Sequence, residues 1–166
     1  MSVTTAPGIG QAAPDFRLRG PGGQFVTLSE HLGRKHVVLV FYPLAFSPTC
    51  SHQLPEVQKR LPRYQALDAV VLGVSVDSHY ANEAFAHRLG LSFPLLSDFH
   101  RDASRAYGVL VPEKGHSGRA TFLVDRQGRV AHREVSPNPG DPDQVPSDER
   151  VLAALERLNA PGHAGA

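Results

Sequence analysis

His36-Val37-Val38-Leu39-Val40-Phe41-Tyr42-Pro43-Leu44-Ala45-Phe46-Ser47-Pro48-Thr49-Cys50 is the stretch on which the fold turns. Its first seven residues form a continuous β-branched and aromatic run with no polar alternation, which predicts a strand covered on both faces. Such a strand belongs at the centre of a sheet. A second run, Ala69 to Val76, follows a stretch in which Leu54, Val57, Leu61 and Tyr64 recur at helical spacing. Strand, helix, strand predicts a parallel pair. The segment from Tyr42 to Cys50 then leads from the carboxyl end of the central strand into the first turn of a helix, where open α/β sheets place their sites.

Before this run, Asp15 to Leu18 and Gln24 to Leu28 read as short strands around the turn Gly20-Pro21-Gly22-Gly23, an N-terminal hairpin. Ser78 to Leu89 has helical spacing, with Ala81, Phe85 and Leu89 on one face and Gly90 able to end it. Phe93 to Leu96 is a short buried segment. Thr121 to Val124 and Val130 to Val135 flank Asp125-Arg126-Gln127-Gly128 and read as a second hairpin. Pro137 to Pro146 is a polar, proline-rich loop, and Asp148 to Leu158 a helix capped by Ser147 with Val151, Leu152, Leu155 and Leu158 inward. This order predicts an α/β thioredoxin-like fold, a mixed central sheet between helices with an added N-terminal hairpin. Pro55 and Pro62 predict a kink in the helix after Cys50, since neither can donate to the carbonyl four residues back.

The 166 residues suit one domain, 1–166, and 41% hydrophobic with 20% charged residues is a globular balance. The Gly-, Ala- and Pro-rich ends, 1–10 and 160–166, are expected to be loose. A formal charge of +1 supplies no field that favours nucleic acid or a membrane surface. Met1 to Phe16 has no basic stretch followed by an apolar run, and no segment approaches a membrane span, so a cytoplasmic protein is expected. Nine histidines include no pair at i, i+4 on a helix and no Cys-x-x-Cys accompanies them, so neither metal nor cofactor is expected. Gly8-x-Gly10-x-x-Ala13 follows no strand and opens no helix, so it is no dinucleotide loop.

Cys50 is the only cysteine, so it is either an inert buried thiol or a nucleophile whose chemistry needs an outside partner. A thiol at a helix start is easier to ionise, and the thiolate is the reactive form. The spacing Pro43-x-x-x-Ser47-x-x-Cys50 resembles the signature of the peroxiredoxins: Pro, three residues, Thr or Ser, two residues, Cys. The same family is resembled in order by Ala13-Pro14-Asp15-Phe16, Val74-Ser75-Val76-Asp77-Ser78, Phe93-Pro94-Leu95-Leu96-Ser97-Asp98, Ala106-Tyr107-Gly108-Val109 and the run Gly118 to Asp125. The resemblance implies a thiol peroxidase in which Cys50 attacks the O–O bond, Ser47 holds the peroxide, Pro43 shields the sulfur from water and Arg119 is the cation beside it. The Thr49 and Cys50 N–H groups would share the developing charge, and loss of one such donor typically costs about a hundredfold in rate. Gln53 is expected to support Arg119 through its amide.

Proline stands at position 55, where one branch of the family has its second cysteine, and no other cysteine exists in the chain. Together with the stretch Pro43-Leu44-Ala45-Phe46, the missing second cysteine resembles the bacterial one-cysteine, alkyl hydroperoxide reductase E-like branch. It implies a Cys50 sulfenic acid resolved by an external low-molecular-weight thiol or a thioredoxin-like or glutaredoxin-like reductant. Relatives also suggest a homodimer. His52 could act as a base or be an ordinary exposed helix residue. The alternative function is a thioredoxin-fold binding or scaffold protein without peroxidase turnover, which predicts no sulfenate on adding peroxide. A disulfide oxidoreductase is disfavoured, because Ser47 stands where a Cys-x-x-Cys motif would have its first thiol.

Overall fold

The structure, a computed structural model, describes residues 6–160. The run that opened the reading forms β3 (His36–Phe41), fully buried along its length. It pairs in parallel with β4 (Ala69–Ser75), with His36 opposite Ala69 and Phe41 opposite Val74. Its other edge takes β8 (Ala120–Val124) antiparallel, and β8 forms a hairpin with β9 (Val130–Val135). On the far side β4 pairs in parallel with β5 (Leu95–Ser97), which is joined antiparallel by the hairpin of β1 (Arg17–Arg19) and β2 (Phe25–Thr27). The sheet is thus seven-stranded and mixed, ordered β2-β1-β5-β4-β3-β8-β9. A separate two-stranded ribbon, β6 (Leu110–Val111) with β7 (His116–Ser117), lies outside it.

Side chains alternate across β3 as strand geometry requires. Val38, Val40 and Tyr42 face a core shared with α1 (Pro48–Lys59), α2 (Leu61–Ala66), α3 (His79–Leu89) and α5 (Asp148–Asn159), through Leu54, Tyr64, Phe85 and Leu155 among others. Val37, Leu39 and Phe41 face a second core with Phe122, Leu28 and the aromatic ring of Tyr107, just after α4 (Asp102–Ala106). Covering both faces explains why β3 carries no alternation. Gly73 of β4 has a packing reason, because a Cβ there would stand 2.5 Å from Leu95 Cδ2. Ser78 caps α3 by accepting from the Ala81 N–H, and Gly90 ends it in the left-handed region at φ 67°. Ser147 caps α5 by accepting from the Arg150 N–H.

One expectation changes. The helix after Cys50 does not kink but ends: α1 stops at Lys59, Arg60 adopts φ −95°, ψ 0°, and α2 begins with Pro62 in its first turn. Proline suits that place because a first-turn N–H has no helical acceptor to lose, and Pro55 is accommodated inside α1 without interrupting it. The ends expected to be loose lie partly outside the described residues, at 1–5 and 161–166. Described residues before β1 hydrogen-bond to β9 and to the turn that leads into it. Gly10 donates to the Val130 carbonyl and accepts from Arg129 Nη1, Ala13 donates to Gly128, and Arg133 reaches the carbonyls of Ala6 and Pro7.

Candidate active site

The loop leaving β3 becomes α1 at Ser47, whose extended backbone (φ −69°, ψ 151°) makes it the N-cap, followed by Pro48 at the first helical position. Cys50 is the third residue of the helix and is fully buried. First-turn N–H groups have no intrahelical acceptors and carry the positive end of the helix dipole, so the thiol sits where negative charge is stabilised. The Ser47 carbonyl accepts from Ser51, but its hydroxyl makes no capping bond. That Oγ is buried without a hydrogen-bond partner among the described residues.

Arg119 precedes β8 at the strand's entry, beside the exit of β3, and is 1% exposed. All three guanidinium nitrogens are engaged. Nη2 lies 3.1 Å from Cys50 Sγ, Nη1 donates to Gln53 Oε1 at 2.5 Å, and Nε donates to the Pro139 carbonyl at 3.0 Å. A buried cation needs such partners, and the fork geometry of arginine fixes its plane so that one corner faces the sulfur. Gln53 comes from the same turn of α1 as Cys50. Its oxygen therefore ties the arginine to the helix that carries the thiol.

The loop itself is held from the other side. Asp77 Oδ2 accepts from the Ala45 N–H at 2.8 Å and from the Ser75 hydroxyl at 2.7 Å. Tyr42 donates from its hydroxyl to Asn82 Oδ1 at 2.6 Å, and Asn82 donates to the Leu96 carbonyl. Burial pushes the Tyr42 phenol well above its ordinary pKa, so it serves as a donor and not as an acid. Between Ala45 and Ser47, Phe46 has φ 68°, a left-handed conformation costing a non-glycine residue about 1–2 kcal/mol. Its ring is held against Phe85, with centroids 4.9 Å apart.

A pocket of about 470 Å³ opens over this arrangement. Pro43, Ser47, Thr49 and Arg119 line it, so four of the residues singled out in the sequence share one space; Cys50, fully buried, is not among the lining residues and meets it through its contact with Arg119. His52 does not join them; it is exposed on α1 and its side chain makes no hydrogen bond among the described residues. The opposite wall comes from the 137–146 loop. Besides the Pro139 carbonyl on Arg119, the Gly140 carbonyl accepts from Thr49 Oγ1 at 2.9 Å. Sequence reasoning missed both, and also missed Lys114 and His116, which reach the rim from the β6–β7 ribbon. Backbone carbonyls leave no side-chain signature, and a two-residue strand leaves no periodicity. Asp77 stood inside a quoted motif without a role. Among the described residues no group of three or more His, Cys, Asp or Glu side chains is gathered to hold a metal.

Chemically, this is a thiol at a helix start with a fixed cation in contact, an unpaired hydroxyl and a proline-walled pocket. It can stabilise a thiolate and meet negative charge as a bond to sulfur forms. Comparison with known proteins gives the same direction. The model of the AhpC/TSA family matches residues 9–133. Alkyl hydroperoxide reductase E of Mycobacterium tuberculosis is 41% identical over 154 residues, covering 92% of this chain and 98% of that protein. The chloroplastic 2-Cys peroxiredoxin BAS1 of Hordeum vulgare is 33% identical over 165 residues, covering 93% and 78%. Among solved structures, Mycobacterium tuberculosis AhpC superposes with a TM-score of 0.82 at 28% identity, covering 93% of this chain and 94% of that one. A lone thiol beside a fixed cation, the fold that carries it and these relatives lead to one conclusion: the chain belongs to the AhpC/TSA family, the peroxiredoxins, and is a thiol-dependent peroxidase.

Proposed function

We propose that this chain reduces peroxides by a one-cysteine cycle in which Cys50 is the nucleophile, Arg119 and Ser47 stabilise the departing oxygen, and an external thiol completes turnover. The observation that carries the reading is the 3.1 Å contact of Arg119 Nη2 with the sulfur of the only cysteine in the chain. In the first step the Cys50 thiolate attacks one peroxide oxygen, the O–O bond breaks, and hydroxide or alkoxide leaves and takes a proton from solvent. Arg119, Ser47 Oγ and the first-turn N–H groups of Thr49 and Cys50 are the donors that meet the charge on that oxygen. Pro43, buried in the pocket wall, excludes water from the sulfur, and Gln53 keeps Arg119 in its plane.

In the second step an external thiol condenses with the sulfenic acid, releasing water and forming a mixed disulfide; a second thiol then regenerates the Cys50 thiolate. Low-molecular-weight thiols and thioredoxin- or glutaredoxin-like proteins both have the required chemistry. Dependence on a supply of reducing thiol supports a cytoplasmic location. Exposed Leu44 and Phe46 beside the pocket support a homodimer, because apolar surface next to a site favours association. The test is to oxidise the full chain with one equivalent of peroxide and add candidate thiols while following mass. The expected sequence is sulfenic acid, then a mixed disulfide at Cys50, then the reduced chain. Recovery of the thiol without any external thiol would overturn the one-cysteine cycle.

A further inference from the structure

A second cavity, of about 430 Å³, shares no lining residue with the pocket over Cys50. It lies at the carboxyl end of β5, between the β1–β2 hairpin and the start of α3. Residues at i and i+2 of a strand share a face, so β1 presents Arg17 and Arg19 together. Both guanidinium carbons stand over the ring of Phe25, at 3.5 and 4.3 Å from its centroid. Two like charges are thus gathered on one aromatic ring, each held by a cation–π contact of about 0.5–1 kcal/mol. Among the described residues neither has a carboxylate within salt-bridge distance.

Two carboxylates also line the cavity, and neither is within salt-bridge distance of Arg17 or Arg19. Asp98 is buried and turned to its own chain, accepting from the Ala103 N–H, the Ser104 N–H and the Ser104 hydroxyl. Asp102 is exposed and faces Arg105 at 3.4 Å. His79 and His100 line the cavity with ring nitrogens that can donate, and Ser78 adds a hydroxyl whose oxygen already accepts from Ala81 N–H but whose hydrogen is free. His79 closes one side against the hairpin turn, where a Cβ on Gly23 would stand 3.3 Å from its Nε2. Arg19 Nη1 donates to the Gly23 carbonyl at 3.0 Å, which fixes that guanidinium and leaves its other nitrogens to face a ligand. The chemistry that completes two planar guanidinium groups without a carboxylate partner is a multiply charged oxyanion, bound by charge-assisted hydrogen bonds.

We propose that this cavity is a binding site for a small organic polyanion carrying at least two phosphate or carboxylate groups, separate from the peroxidatic pocket. The proposal does not depend on the peroxidase reading. It is tested by calorimetric titration of the full chain with pyrophosphate and, separately, with citrate. The expected result is saturable binding of at least one, weakened about tenfold or more in Arg17→Gln/Arg19→Gln and unchanged in Lys59→Gln/Arg88→Gln, which removes the same charge elsewhere. The tighter probe identifies the anionic group. Cys50 oxidation at its original rate in the Arg17/Arg19 variant shows that the variant is folded. Failure of both probes to saturate, or equal weakening in the two double variants, would overturn the proposal.

Discussion

At the scale of single residues, the chemistry rests on how Arg119 is held. A surface arginine could swing to a peroxide, but this one is buried with every nitrogen committed, to Cys50, Gln53 and Pro139. Its charge is therefore in place before substrate arrives, and electrostatic stabilisation costs no reorganisation during reaction. Arg119→Ala is expected to slow peroxide oxidation of Cys50 by about a hundredfold or more, read by stopped-flow. Arg119→Lys should recover only part, because an ammonium cannot hold Gln53 and Pro139 while facing the sulfur. A rate within twofold of wild type in the alanine variant would remove Arg119 from the mechanism. Ser47 supplies a hydroxyl without the methyl of threonine, and having no partner among the described residues leaves it available to a peroxide oxygen.

At the scale of elements, the site is where three pieces of chain meet: the start of α1, the entry of β8 and the 137–146 loop. The first two were legible in the sequence, because Pro43, Ser47 and Cys50 are side chains in recognisable spacing and Arg119 stands in a segment that resembles the family's. The third was not, since the 137–146 loop contributes carbonyls, which any residue could supply. The break between α1 and α2 was misread as a kink for a related reason: Pro62 obstructs a continuing helix but suits a starting one, and only the geometry at Arg60 tells which. Asp77 shows the same gap, for its carboxylate grips the Ala45 N–H and so holds a loop that contains the left-handed Phe46. Leaving that N–H without its acceptor costs about 1–3 kcal/mol, enough to let the loop relax. Asp77→Ala is expected to slow peroxide oxidation about tenfold while leaving alkylation of Cys50 by iodoacetamide at least as fast. Asp77→Asn, which retains an acceptor oxygen, should lie between. Parallel loss of both rates would mean that Asp77 supports the fold and not the placement of Ser47.

At the scale of the whole molecule, a central sheet buried on both faces carries titratable groups as well as apolar ones. His36 opens β3, is buried, and meets Asn159 of α5 at 3.3 Å through Nε2. Asn159 Nδ2 already donates to Leu67 and Leu155, so its oxygen faces the ring and the imidazole donates. Burial, reinforced by Arg126, holds the His36 pKa below its ordinary value, and burial does the same to His31 and His132. The unfolded chain then binds these protons more readily than the folded one. Their stabilising contribution is complete above the unfolded histidine pKa of about 6.5 and is lost as pH falls from there towards the lower folded values. Urea unfolding should show lower stability at pH 5.5 than at pH 7.5, with a smaller difference in His36→Gln; equal stability at the two pH values would contradict this. Stability and catalysis are thus anchored at opposite ends of β3, His36 at its start and the Cys50 loop at its exit. The central claim, that the environment at that exit turns a buried thiol into a peroxide nucleophile, is tested most directly by the second-order rate of Cys50 oxidation by hydrogen peroxide, compared with a free thiol at equal thiolate concentration. A rate greater by orders of magnitude, and abolished in Cys50→Ser, is expected; a rate equal to that of the free thiol would show that the fold does not activate Cys50.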